Sequence, residues 1–203
     1  MSRTDPYETL RDILARLSAL LKDRGLARKD VVDPDKLSNA TGLTVEEVRA
    51  LLEGGTLPES EVDEITRDRV RFLYAKRHEG QDRKKATIIG EVATRLSVSK
   101  VWARQLLQGE KCPNVPHLKA LSTYFGVPVA FFTDSAVDAV IRELGPILDE
   151  LESDPLAELM EEFGIREVHA RTDSGNPLTR HQKERLAAII RFHLALGEGE
   201  PQR

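Results

Sequence analysis

The chain has 203 residues, enough to bury a real core in one large domain or two small ones, and it holds no apolar run of the roughly 18 residues a membrane span needs. With 40% hydrophobic, 32% charged and only 5% aromatic residues, the composition favours helices packed through Leu, Ile, Val and Ala over a β-sandwich. Its net charge of −4 averages three unlike stretches: −5 over residues 1–66 (9 Lys+Arg, 14 Asp+Glu), +8 over 67–120 (13 against 5) and −7 over 121–203 (8 against 15).

The opening "MSRTDPYETL" is polar and contains Pro6, so no secretory leader is expected. A first helix is predicted where Leu10, Ile13, Leu14, Leu17 and Leu20 or Leu21 recur at helical spacing, ending at Gly25. A second long run, "VDEITRDRVRFLYAKRHEG", sets Ile65, Val70, Leu73 and Tyr74 near one side and stops at Gly80. The cation-rich loop "QDRKKAT" follows, then "TIIGEVATRL", the turn "SVS" and the short helix "KVWARQLLQ". Asn114 caps the next helix, with Pro116 in its first turn and Gly126 at its end.

Beyond Asp134, Val137, Val140, Ile141, Leu144, Ile147, Leu148 and Leu151 form an apolar stripe that Gly145-Pro146 should kink or break. A short helix follows Pro155, then the loop "RTDSGNP", then a final amphipathic helix opened by a capping box at Thr179 and Gln182. Its stripe is Leu186, Ile189, Ile190, His193 and Leu194 or Leu196, and a disordered tail is expected over 198–203.

Sliding the chain over itself exposes one internal repeat. At an offset of 55, "GLTVEEVRALLEGGTLP" lies without a gap on "SVSKVWARQLLQGEKCP". Arg49 meets Arg104, Leu51 and Leu52 meet Leu106 and Leu107, Gly54 meets Gly109, and Thr44 and Ser99 share the capping place. The match is a duplicated module or two examples of a common local pattern. Helix, tight turn, helix is the helix-turn-helix layout. In the second copy Ile89, Val92 and Ala93 should face inward, Leu96 and Val98 pin the turn, and Ala103, Leu106 and Leu107 complete the core. Lys100, Val101, Trp102, Arg104, Gln105 and Gln108 are left outward. Cationic and amide side chains are the types that read guanine and adenine edges in a major groove.

The stretch "LSVSKVWARQLLQGEKCPNVPHLKALSTYFGVPVAFF" resembles the Xre/Cro family of five-helix DNA-binding domains. Leu96, Val98, Ser99, Gly109, Lys111, Pro113, Leu118, Leu121, Phe125, Gly126 and Val127 carry the resemblance. The aromatic inside the second helix, "YFGVPVAFFTD" and the late "LTRHQKERLAAIIRFHLAL" are similar, more narrowly, to EspR-type nucleoid-associated regulators. The resemblance implies duplex-DNA binding, dimerisation and transcriptional control, with a cytoplasmic, nucleoid-associated location. It implies base contacts at Ser99, Lys100, Trp102, Arg104 and Gln105, and phosphate contacts at Thr87, Lys111 and Asn114. The loop cations Arg83, Lys84 and Lys85 are expected on the backbone too. The chain departs from the pattern at Thr87, where Gln is common, and at Ala103, where a larger apolar residue is usual. Trp102 has two readings, a groove-edge aromatic or a rim-of-core residue beside Leu106.

The expected architecture is all-α. An N-terminal helical module (1–62), a degenerate helix-turn-helix, precedes the DNA-binding domain (63–134) and a C-terminal dimerisation region (135–197). Leu144, Leu148, Leu151, Leu186, Ile189, Ile190 and Leu194 are the expected homodimer contacts. In the first copy Val45, Glu46, Glu47, Arg49 and Ala50 stand at the outward places, where carboxylates would repel phosphate, so packing or a protein partner is expected there instead. No cofactor, metal or enzymatic activity is expected: the five histidines lack zinc spacing, and no phosphate loop or nucleophile elbow occurs. The competing reading is an adaptor whose basic face meets an acidic partner or its own acidic flanks, and a coater of DNA with little sequence preference is the variant within the DNA class.

Overall fold

The computed structural model describes residues 5–81, 84–163 and 180–197, and among these it is all helical, with no strand. In chain order the helices are α1 (Pro6–Arg24), α2 (Arg28–Val31), α3 (Pro34–Thr41) and α4 (Val45–Leu52). Then come α5 (Val62–Gln81), α6 (Lys85–Leu96), α7 (Lys100–Leu107), α8 (Val115–Phe125) and α9 (Ala130–Thr133). The last are α10 (Ala136–Glu152), α11 (Pro155–Glu162) and α12 (Arg180–Gly197). No helix among the described residues is long and apolar enough to cross a membrane. Arg83, Thr179 and the 198–203 tail lie outside the described residues, as does the side chain of Leu194.

Local chemistry sets the helix ends. Asp5 Oδ1 accepts from the Tyr7 N–H at 3.0 Å to open α1, and Gly25 closes it in the left-handed region. At α4, Thr44 and Glu47 form a complete capping box.

Among the described residues the helices build three cores. The first joins Leu10, Leu14, Leu17 and Leu21 of α1 to Leu37, Val48 and Leu51, and is closed by Val137, Val140, Leu144, Leu148 and Leu151 of α10. The second lies within α5–α9, around Val70, Ile88, Val92, Leu106, Leu107, Leu121, Phe131 and Phe132. The third is small, with Leu156 and Leu159 of α11 buried against Ala187 of α12.

Three expectations change here. Residues 135–197 do not act as one region: α10 completes the N-terminal core, and only α11 and α12 pair beyond it. Leu144, Leu148 and Leu151, expected at a dimer contact, are 1%, 6% and 7% exposed inside the chain's own core. An apolar stripe declares that a face is buried, not which helix covers it, and the stripe of α1 covers this one. Lastly, α10 runs unbroken through Pro146. A proline inside a helix costs about 3 kcal/mol. Burying three leucines at roughly 1.5–3 kcal/mol each outweighs that.

The backbone follows the 55-residue repeat. Shifted by 55, α4 falls on α7 end to end, and α3 falls on the last eight residues of α6. The caps agree as well: Glu47 N–H donates to Thr44 Oγ1 at 3.2 Å, and Trp102 N–H to Ser99 Oγ at 3.1 Å. The turns at Gly42 (φ 74°) and Ser97 (φ 55°) are both left-handed, as are Gly54 and Gly109 after the second helices. The copies part thereafter: α8 and α9 finish the second core, whereas the first is finished by the distant α10.

Candidate nucleic-acid interface

Helix α7 is held from beneath and open above. Ala103, Leu106 and Leu107 are fully buried, while Lys100, Val101, Arg104 and Gln108 are exposed and Gln105 is half-buried. Spacing alone dictates this split, because residues three and four apart share one face of a helix. In α6 Ile88, Val92, Ala93 and Leu96 are buried, while Ile89, expected inward, is half-buried. Ser99 is exposed, and its hydroxyl oxygen is used as the helix cap.

Trp102 is half-buried and leans on the first turn of α8, with its ring centroid 4.9 Å from that of His117. That is the rim of the second core. Of the two readings of Trp102, the geometry favours the rim, with His117 as the ring partner.

Lys84 and Lys85 are exposed at the start of α6, where Lys85 and Thr87 belong to the first helical turn rather than to a loop. Lys111 is exposed in the turn after α7, and Asn114 Oδ1 accepts from the His117 N–H at 2.9 Å as the cap of α8. Among the described residues, none of Lys84, Lys85, Lys100, Arg104 and Lys111 forms an ion pair. Among the described residues no carboxylate of the acidic flanks pairs with them. The flanks' own pairs are local or join the outer helices, such as Arg16 with Glu152 at 2.5 Å and Arg191 with Glu162 at 3.1 Å.

Two more cations border this surface that the sequence reading left inside the general charge count. Arg71 of α5 lies along the turn after α7, where a Cβ built on Gly109 would stand 2.7 Å from its Cδ. It is ion-paired with Asp68. About two turns back, Asp63 meets that same loop, with Cys112 Sγ 3.5 Å from its Oδ1. Burial, then the Asp63 contact, pushes the Cys112 thiol up, and the charge of Arg67 opposes them. The only signal available was the i, i+4 spacing of Arg67 and Arg71, which names a helix face but not its neighbour.

The first motif sits differently. Its turn is pressed on the second module, since a Cβ on Gly42 would stand 2.9 Å from Phe131 Cζ and 3.2 Å from Arg69 Cγ. Arg69 is 3% exposed, and its Nη1 donates to the Phe131 carbonyl at 2.5 Å. Loss of solvation and the nearby Arg142 charge lower its pKa to about 10, while Glu47 acts in the other direction. Glu47 stands at the place Trp102 holds in the second copy, and its carboxylate is also taken by the Thr44 N–H at 2.8 Å.

Of the expected dimer contacts on α12, Leu186 and Ile190 are half-buried on α11, while Ile189 is 54% exposed. Phe192, beside them, is 62% exposed. His193, on the expected apolar stripe, is exposed, with Nδ1 2.9 Å from the Ile189 carbonyl oxygen. Among the described residues no group of His, Cys, Asp and Glu is placed to hold a metal ion. No protein-family model, curated protein or solved structure matches the chain, so the site is read from its own residues alone.

Proposed function

We propose that the chain is a DNA-binding transcriptional regulator of the Xre/Cro helix-turn-helix kind, acting on duplex DNA as a homodimer. One observation carries this reading: Lys100 and Arg104, one turn apart on the open face of the capped helix α7, have no partner within the described chain. An unpaired guanidinium on such a helix suits guanine O6 and N7, and Gln105 suits adenine N6 and N7. The O–H of Ser99 remains a donor after its oxygen has served as the cap. Trp102 acts chiefly by bracing α7 against α8. Lys84, Lys85, Thr87, Lys111 and Asn114 hold phosphates and set register, with Arg83 as a further phosphate contact.

Dimerisation falls to the exposed face of α12, with Ile189 and Phe192 at its centre. A two-fold dimer would place two half-sites about 34 Å apart or a multiple of that. The N-terminal module serves as a scaffold, its would-be reading end turned onto the second module. Anisotropy of a labelled 30-base-pair duplex tests the reading. Wild type should bind at 100 mM salt and the Lys100→Ala, Arg104→Ala variant should bind at least tenfold more weakly, as expected when two charge-assisted contacts are lost. Equal binding by both proteins would remove α7 from the interface.

A further inference from the structure

The rim of the proposed interface carries its own counter-charges. On α5, Asp63 Oδ1 stands 3.5 Å from the Sγ of Cys112, in the loop between Lys111 and Asn114, and Arg67 lies four residues further along the helix. Asp68 and Arg71 are three apart and ion-paired, and the Arg71 stem lies against Gly109 at the end of the reading helix. Arg71 at the rim is thus ion-paired with a carboxylate of its own helix, and Asp63 brings a further negative charge to the loop beside it. By contrast, Lys100 and Arg104 on the reading face have none among the described residues.

Resting on the DNA reading above, we infer that Asp63 and Asp68 temper the interface: they hold down affinity for duplex bound through phosphates alone, leaving discrimination to the uncompensated face of α7. The physical basis is range. Screening at physiological salt sets in over about 8 Å. Asp63 touches a loop residue flanked by two proposed phosphate contacts, so a phosphate held there feels its charge. Arg71 must leave Asp68 before it can take up a phosphate.

The test is anisotropy of a random-sequence 30-base-pair duplex across 50–400 mM salt, using the full chain. Proteins compared are wild type, Asp63→Asn with Asp68→Asn, and a charge-matched control, Asp12→Asn with Asp149→Asn, at exposed positions of α1 and α10. The α5 variant should bind about fivefold tighter at 100 mM salt, converge with wild type near 400 mM, and show a salt slope steeper by about 1, the signature of one added phosphate contact. The control should stay within about twofold of wild type. Adding Arg71→Ala to Asp68→Asn should cancel the gain in slope.

If wild type binds and the α5 variant matches it in affinity and slope, or if the control gains as much, the tempering role is overturned and the DNA reading stands. If no protein binds duplex at 50 mM salt, both fall together.

Discussion

Arg69 donates to the Phe131 carbonyl at 2.5 Å directly beneath Gly42, so the turn of the first helix-turn-helix is locked onto α5 and α9 of the second. Under the proposed function, this contact is what keeps the first copy of the repeat from the role assigned to the second. At the same point of the second copy, Ser97 is exposed.

Gly42→Ala should therefore destabilise the chain by about 1–3 kcal/mol, because the residue has φ 74° and no room for a Cβ. Urea unfolding measures it. A change under 0.3 kcal/mol, on the order of the error of such comparisons, would mean the turn is not packed as described.

Ser97→Gly should act in the opposite sense. Ser97 is the one non-glycine residue with positive φ among the described residues, and it closes α6 by donating to the Thr94 carbonyl. Relieving that conformation should raise stability by about 0.5–1 kcal/mol, after the greater freedom of glycine in the unfolded chain is discounted. A lower urea midpoint would contradict it.

Leu144→Ala and Phe192→Ser separate core from dimer surface. Leu144 is 1% exposed under α1, so its truncation should cost about 2–5 kcal/mol of stability. Phe192→Ser, at an exposed site, should leave unfolding within about 0.5 kcal/mol and shift sedimentation toward the monomer. Loss of association in Leu144→Ala without loss of stability would restore α10 to the dimer contact.

Acid should loosen the α11–α12 hairpin first. Partial burial of Asp154 disfavours its charge, but the Lys183 ammonium and the Leu156 N–H outweigh that and hold its carboxyl below the usual carboxylate value. A carboxyl lowered in the folded state stabilises above its unfolded value, and that stability is lost as pH falls through the folded one. Hydrogen exchange between pH 5 and pH 3 should show α11 and α12 opening before α5–α9, and Asp154→Asn should abolish the dependence.

Much of this fold was legible from spacing. The leucines of α1, the buried face of α7, the caps at Thr44 and Ser99 and the 55-residue offset are local signals that the structure follows. What spacing left out was partnership. Leu144, Leu148 and Leu151 formed a visible stripe, yet only the fold shows α1 lying over it. Ile88 and Ile89 are adjacent in sequence and about 100° apart around α6, so spacing from Val92 and Ala93 admits either, and the fold buries Ile88 more deeply. Trp102 and Arg71 have the same lesson in the site: their neighbours, His117 and Gly109, come from other elements. At Gly145-Pro146 spacing allowed a kink or a break, and α10 is not broken there.

The central claim is that the open face of α7 reads duplex DNA, and selection from a random pool tests it most directly. Full-length chain and Arg104→Ala would each be incubated with random duplex at 150 mM salt, and bound fragments sequenced. A motif enriched by wild type, and relaxed at one guanine position by Arg104→Ala at a cost of about 1–3 kcal/mol, is the predicted result. Binding without an enriched motif, affected equally on all fragments, would make Arg104 a phosphate contact and the chain a coater of DNA. No retained duplex at all would contradict the account.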